Sequence, residues 1–278
     1  MSGHDDFGDR MKMYEGLSNV ALLPRVPFCA RIDGRNFHSF TKHAARPFSE
    51  TFHGMMVEVT KHLVSEACAD VGYTQSDEIS LSWLETPFFD GNVQKMCSTL
   101  AAMASVRLNA FKWHFAGGPT MGDVTIEREV KSGLKWAQAP TFDARVWVVP
   151  SRVEAANVFL WRQQDATRNS IQMAARHHLG HARCEDRSSK ELQELLFQVA
   201  GVNWNTYPDW AKRGIFVKHA KTQRAFTADE IEALPPKHHA RQDPSLVVER
   251  RMLQVVDIDL RGMPIGDCAA LLFTDAIP

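Results

Sequence analysis

PFCARIDGRNFHSFTK, residues 27–42, opens as a short apolar run over 27–32 and stops at Asp33-Gly34. An apolar run of that length, closed by a turn pair, reads as a buried strand. The loop after it is rich in donors: Arg35, Asn36, Phe37 and His38, with Lys42 and Arg46 adding positive charge downstream. Working outward, residues 50–69 place Met55, Met56, Val59, Leu63 and Val64 at helical spacing. Residues 71–74 and 79–84 read as two strands joined by a tight turn around Ser76-Asp77-Glu78. A helix over 93–113 follows, with the small residues Ala101, Ala102, Ala104 and Ser105 allowing close packing. Residues 142–149 form a further strand, stopped by Pro150.

Strand, helix, strand, strand, helix, strand is the order of a ferredoxin-like unit. The expected fold is therefore α+β. It has a polymerase-palm type of core over about 20–150, an antiparallel sheet with helices on one face. Helical additions and a C-terminal excursion occupy about 151–278, and 1–278 is read as a single catalytic domain. In the second half, helices are expected over 153–179, with Ser151 as cap, and over 189–200. A short strand is expected at 214–219, a polar surface excursion at 221–250 and a last strand at 252–260.

Composition narrows the class. No apolar run is long enough to span a bilayer, and the polar start lacks a secretory pattern, so a cytoplasmic protein without membrane contact is expected. Cys29, Cys68, Cys97, Cys184 and Cys268 are scattered and odd in number, which argues against a disulfide scaffold or a cysteine zinc site. With 32 basic against 33 acidic residues, RNA contact has to come from local patches. Arg162, Arg168, Lys190, Lys212 and Arg213 are candidates for one. His177 and His181 have i,i+4 spacing, but no further ligand accompanies them, and a solvated helix end is the better reading. Trp161, Trp204 and Trp210 read as packing residues.

The chemistry rests on two carboxylates. The first and third strands of such a sheet are central neighbours, so Asp33 and Asp77 converge although far apart in sequence. Carboxylate oxygens, a backbone carbonyl and phosphates suit hard cations such as Mg²⁺. Two ions bridged by two aspartates can activate an attacking oxygen and stabilise a leaving pyrophosphate. Either Asp alone reads as a turn former. The adjoining Gly34, which lets backbone approach a ligand closely, and the donor-rich loop favour a site.

ARIDGRNFHSFTK (30–42) and YTQSDEISL (73–81) resemble the two signature segments of the tRNA-His guanylyltransferase family. FDARVWVVPS, WRQQDATRNS, SSKELQELLF and KRGIFV extend the resemblance over roughly 7–220. It implies an enzyme that adds nucleotides to the 5′ end of tRNA in the 3′-5′ direction. The end is activated by ATP or GTP, and the 3′-hydroxyl of an incoming nucleotide then attacks it. It also implies two Mg²⁺ ions and a homotetramer. By this resemblance Asp33 and Asp77 bridge the metals, the Gly34 carbonyl holds one, and Glu78 is a third catalytic acid. Arg35, Asn36, Phe37, His38, Lys42, Ser76 and Lys95 would bind the nucleotide, and Arg162, Asn169 and Lys190 would meet RNA or triphosphate. Thr167-Arg168-Asn169-Ser170 replaces the eukaryotic His-Ile-Asn-Asn type of run, keeping Asn169 alone, as in the bacterial Thg-like branch that fills in truncated ends against a template. The rival readings are a palm-like nucleotide cyclase and a non-catalytic RNA-binding module.

Overall fold

The computed structural model describes residues 6–42, 44–85, 88–115, 139–243, 245–275 and 277. The chain enters through α1 (Asp6–Gly16) and runs on through β1 (Phe28–Arg35), the single turn α2 (Phe37–Phe40), α3 (Glu50–Glu66), β2 (Val71–Gln75) and β3 (Glu78–Trp83). Then come α4 (Val93–Phe115), β4 (Thr141–Val148), α5 (Arg152–Leu179), α6 (Ser189–Ala200) and α7 (Asp209–Arg213). The chain closes with β5 (Ile215–Ala225), α8 (Ala228–Ala233), α9 (His239–Gln242), β6 (Val247–Val256) and α10 (Ile265–Leu272). The strands form one six-stranded sheet, order β4-β1-β3-β2-β5-β6, with every neighbouring pair antiparallel. Its first four strands have the expected ferredoxin-like order, with β1 and β3 at the centre.

Side chains alternate across a strand, so each strand splits its residues between two faces. Phe28, Ala30 and Ile32 of β1 join Ile79, Leu81 and Trp83 of β3 on one face. That face is sealed by Met56, Val59 and Leu63 of α3 and by Met96, Leu100 and Ala104 of α4. These are the two palm helices read from the sequence. The opposite face is covered over β2 and β5 by the additions, where Val71, Tyr73 and Phe216 meet Ala156 and Phe159 of α5 and Leu272 of α10. Toward β4 that face stays open: Asp143 and Arg145 are exposed. The fold thus leaves a window over the ends of β1 and β3.

Local signals fixed the start of α5. Ser151 accepts a hydrogen bond from the Glu154 amide at 3.2 Å, the expected N-cap. The last third of the chain departs from expectation. β5 is eleven residues long, and residues 221–225 continue its ladder with residues 247–251 of β6 instead of forming an irregular excursion. Lys221, Thr222, Gln223 and Arg224 are polar on both faces, so no period-two apolar pattern marks them; backbone pairing holds them. The final strand starts and ends earlier than expected. Residues 257–260 lie outside any strand or helix, and Gln163 pins them: its Nε2 donates to Ile258 O at 2.6 Å and its Oε1 accepts from Leu260 N at 2.9 Å. Helices α1 and α10 were not anticipated. Among the described residues no helix is long and apolar enough to cross a membrane.

Candidate active site

Asp33 lies near the end of β1, directly opposite Glu78 of β3 and Asp143 of β4. Directly paired residues share a face, so three carboxylates line up on the open side of the sheet. Arg31, two residues earlier on the same face, pairs with Asp33 at 3.3 Å. The β2–β3 turn consists of Ser76 and Asp77 alone, and Ser76 adopts φ 56°, a left-handed conformation that costs an L residue energy. The turn is tied to β1 by the Gly34 amide, which donates to Asp77 O at 3.0 Å. Ser76 Oγ donates to Asp77 Oδ1 at 3.1 Å. Burial pushes the Asp77 carboxyl above its usual range, and the nearby Asp33 charge adds to the shift.

Gly34 is a glycine for a steric reason. A Cβ there would lie 2.5 Å from the Phe37 ring. Phe37 is 4% exposed and packs against Phe40, Phe52 and Phe142. Phe37, expected to bind the nucleotide, is a buried core residue that also lines the wall of a recess. Gly34→Val should displace Phe37, loosen the Asp77 tie and lower stability by roughly 1–3 kcal/mol, the usual range for overpacking. Thermal melts check this; an unchanged melting temperature would contradict it.

Glu78 belongs to β3 rather than to the turn. Its carboxylate pairs with Arg162 of α5 at 2.7 Å, and the same guanidinium reaches Asp165 at 3.2 Å. Arg162 is 7% exposed and lies over the Trp161 ring at 4.7 Å. Burial raises the Glu78 pKa to about 7, outweighing the attraction of Arg162 and Arg31. Arg168 and Asn169 also hold Asp165, at 2.9 and 3.3 Å. The Nε groups of Arg31 and Arg162 are buried without a hydrogen-bond partner among the described residues.

Two adjoining recesses meet at the turn, and Ser76, Asp77, His38 and Arg46 line both. One is a slot of about 230 Å³ between α2, α3 and α7, walled by Thr41, Phe48, Phe52, His53 and Trp210. The other is an open cleft of about 870 Å³ along α5, lined by Glu78, Arg162, Asn169, Gln172, Arg176 and His177. The structure thus brings together Asp77, Ser76, Glu78, His38, Arg162 and Asn169, with Asp33 and Gly34 behind the turn. Arg35, Asn36 and Lys42 are exposed beside the site and line neither recess. Lys190 is exposed in the first turn of α6, also outside both.

Lys95 is not brought to the turn. It sits in the first turn of α4 over the Phe89 ring at 5.5 Å. Ser105, ten residues on and about 15 Å along the helix at ~1.5 Å per residue, is the residue that reaches the site end, where its Oγ accepts from Phe142 N at 3.0 Å. Lys212 and Arg213 are likewise turned inward, both onto Asp209, at 2.9 and 2.8 Å. Sequence reading missed Gln172, Met173, Arg176 and His53, whose only signal is which face of α5 or α3 they occupy. Trp210 does pack, as expected, but on His53 at the slot. Among the described residues no three His, Cys, Asp or Glu side chains form a ready-made metal cage.

A family model described as Thg1, tRNAHis guanylyltransferase, matches residues 8–150, just over half of the chain. A solved bacterial tRNA(His) guanylyltransferase (Thg1)-like protein in complex with ATP is similar at TM-score 0.64 and 35% identity, covering 77% of this chain and 88% of that one. A bacterial Thg1-like protein in complex with GTP matches at TM-score 0.64 and 30% identity over 96% and 98% of the two chains. The uncharacterised protein R259 of Acanthamoeba polyphaga mimivirus is 28% identical over 77% of each chain. This chain belongs to the tRNA(His) guanylyltransferase family of nucleotidyltransferases, on its bacterial Thg1-like side.

Proposed function

We propose that this protein adds nucleotides to the 5′ end of tRNA in the 3′-5′ direction, selecting them by base pairing with a template strand. The observation that carries this is the tie of Gly34 to the β2–β3 turn, which leaves Asp77 lining both a base-sized slot and an open cleft and brings the Asp33 charge close enough to act on it. The 5′-phosphate of the tRNA would first attack the α-phosphorus of ATP or GTP, forming a P–O bond and releasing pyrophosphate. The 3′-hydroxyl of the incoming triphosphate would then attack the activated 5′ phosphorus, and the nucleoside monophosphate leaves.

The residues present suit Mg²⁺. Asp77 sits in a partly desolvated turn, and burial first, then the charge of Asp33 at the end of β1, holds its carboxyl above the usual range. A cation relieves that repulsion, and Mg²⁺ is commonly bound by one or two carboxylates with substrate phosphates completing its shell. Asp33, Asp77 and the Gly34 carbonyl would hold two ions, which supply charge neutralisation at the transferring phosphate when bound. The chain itself does the rest. Arg46, Arg176 and His38 offer donors to phosphate oxygens along the cleft. Arg162, fixed by Glu78 and Asp165, presents a constrained cation at its wall. The slot excludes water from a base seated against Phe48 and Trp210.

Templating has its own support. In the segment that replaces the His-Ile-Asn-Asn type of run, Thr167 Oγ1 donates to Gln163 O at 2.8 Å and Ser170 Oγ to Lys212 O at 3.2 Å. Both hydroxyls are engaged internally, and Asn169 alone of the four lines the cleft, so few side chains are available to read a particular tRNA. Cytoplasmic action and homotetrameric assembly belong to this reading. The test is extension of a 5′-monophosphorylated tRNA lacking its first nucleotide, with each nucleoside triphosphate supplied separately. The nucleotide complementary to the opposing base should be added. Addition of G alone to full-length tRNA(His) would overturn templating, and cyclic product from GTP alone would favour the cyclase. Binding of tRNA with no transfer at all would favour a non-catalytic module.

A further inference from the structure

The slot contains an imidazole that the reaction above does not use. His53, in the first turns of α3, lies flat on the Trp210 indole of α7, with centroids 4.3 Å apart and planes 12° from parallel. Trp210 is met edge-on by Phe48 at 6.4 Å and 81°. The imidazole is therefore held in one plane by two elements distant in sequence. Its nitrogens have no hydrogen-bond partner among the described residues, and burial alone lowers its pKa to about 4, so it is neutral at physiological pH. Of the slot's hydroxyls, Thr41 Oγ1 donates to Phe37 O at 2.9 Å and Ser76 Oγ to Asp77 Oδ1 at 3.1 Å, while Ser49 Oγ accepts from Phe52 N at 3.2 Å. His38, the other imidazole, is exposed at the mouth shared with the cleft.

A group that fits here has apolar faces and polar atoms only at its rim, as a purine does. We infer that His53 contacts the edge of the purine base in this slot and, by exchanging tautomers, accepts adenine and guanine alike. A neutral imidazole carries one N–H donor and one bare nitrogen acceptor, and which nitrogen bears the proton follows the partner. Adenine presents an amino donor where guanine presents a carbonyl acceptor, so a side chain of fixed polarity would reject one of them, whereas His53 adapts to both. The two bound nucleotides seen in the bacterial relatives, ATP in one and GTP in the other, fit such tolerance.

The inference rests on the nucleotide reading above, and the test separates the two. Dissociation constants for ATP, GTP and inorganic tripolyphosphate, each with Mg²⁺, are measured on the full chain for wild type, His53→Leu and His53→Gln. Loss of one neutral hydrogen bond should weaken both nucleotides about three- to tenfold in His53→Leu, leave tripolyphosphate unchanged, and be largely recovered in His53→Gln, which keeps a donor and an acceptor. Equal weakening of tripolyphosphate would mean a structural role and overturn the inference. So would nucleotide affinity that ignores the substitution, or weakening of one purine alone. A wild-type protein that binds neither nucleotide would remove the functional reading and this inference together.

Discussion

Asp77→Asn is expected to lower nucleotide addition by about 10²–10³-fold, on the order of 3–4 kcal/mol of transition-state stabilisation, as for other single groups that stabilise developing charge. The amide keeps the size of the side chain and can still accept from Ser76 Oγ, so the turn should persist. What disappears is one of the two charges that hold a cation against phosphate. Burial disfavours the ionised form of Asp77, and the neutral amide avoids that penalty, so folding stability should stay level or rise slightly. Loss of activity without loss of stability separates a ligand from a structural residue. Asp33→Asn should show the same loss of activity. It also releases Arg31, whose 3.3 Å contact with Asp33 is its only ion pair among the described residues. Near-normal addition by either variant would contradict the two-carboxylate assignment.

Arg162→Met is expected to cost about 3 kcal/mol of stability, because removing one partner of a buried pair strands the other charge. Arg162 and Glu78 side chains are 9% and 20% exposed, so screening by water is limited. The melting temperature should fall by roughly 6–12 °C for a chain of this size. The loss depends on pH. Glu78 already stands near 7 against an ordinary 4.5. Without Arg162 it rises further, and the folded form then holds a proton that the unfolded chain releases. Relative to wild type, stability of the variant therefore falls only as pH rises above about 7, where the wild-type carboxyl ionises and that of the variant still holds its proton. The double variant Glu78→Gln/Arg162→Met should regain most of the stability while remaining impaired in nucleotide addition. Wild-type stability in Arg162→Met at pH 8 would sink this account of the pair.

Much of the site was legible because it sits where local signals are strong. An apolar run ending in Asp-Gly and a two-residue turn are written in consecutive residues, and the ferredoxin-like order places those two points side by side. The roles of single residues were less legible. Phe37 reads as part of a donor-rich, nucleotide-binding loop, but Gly34 lets its ring pack directly beneath β1, and three more phenylalanines enclose it. Lys95 stands in a promising helix, but at the wrong end of it. His53 and Trp210 lie 157 positions apart and become one surface only through the packing of α7 beside α3. The outer part of the β5–β6 pair was hidden because residues 221–224 of β5 are polar on both faces, and pairing of that kind leaves no periodicity to read.

The central claim, metal-dependent transfer at Asp33 and Asp77, is tested most directly by one assay. Label from the α-phosphate of a nucleoside triphosphate is followed onto a 5′-monophosphorylated tRNA lacking its first nucleotide, in wild type and both Asn variants, with Mg²⁺ and with chelator. Transfer by wild type with Mg²⁺, and little or none in the other conditions, is the predicted result. Transfer that survives chelation, or that persists in Asp77→Asn at the wild-type rate, would contradict it.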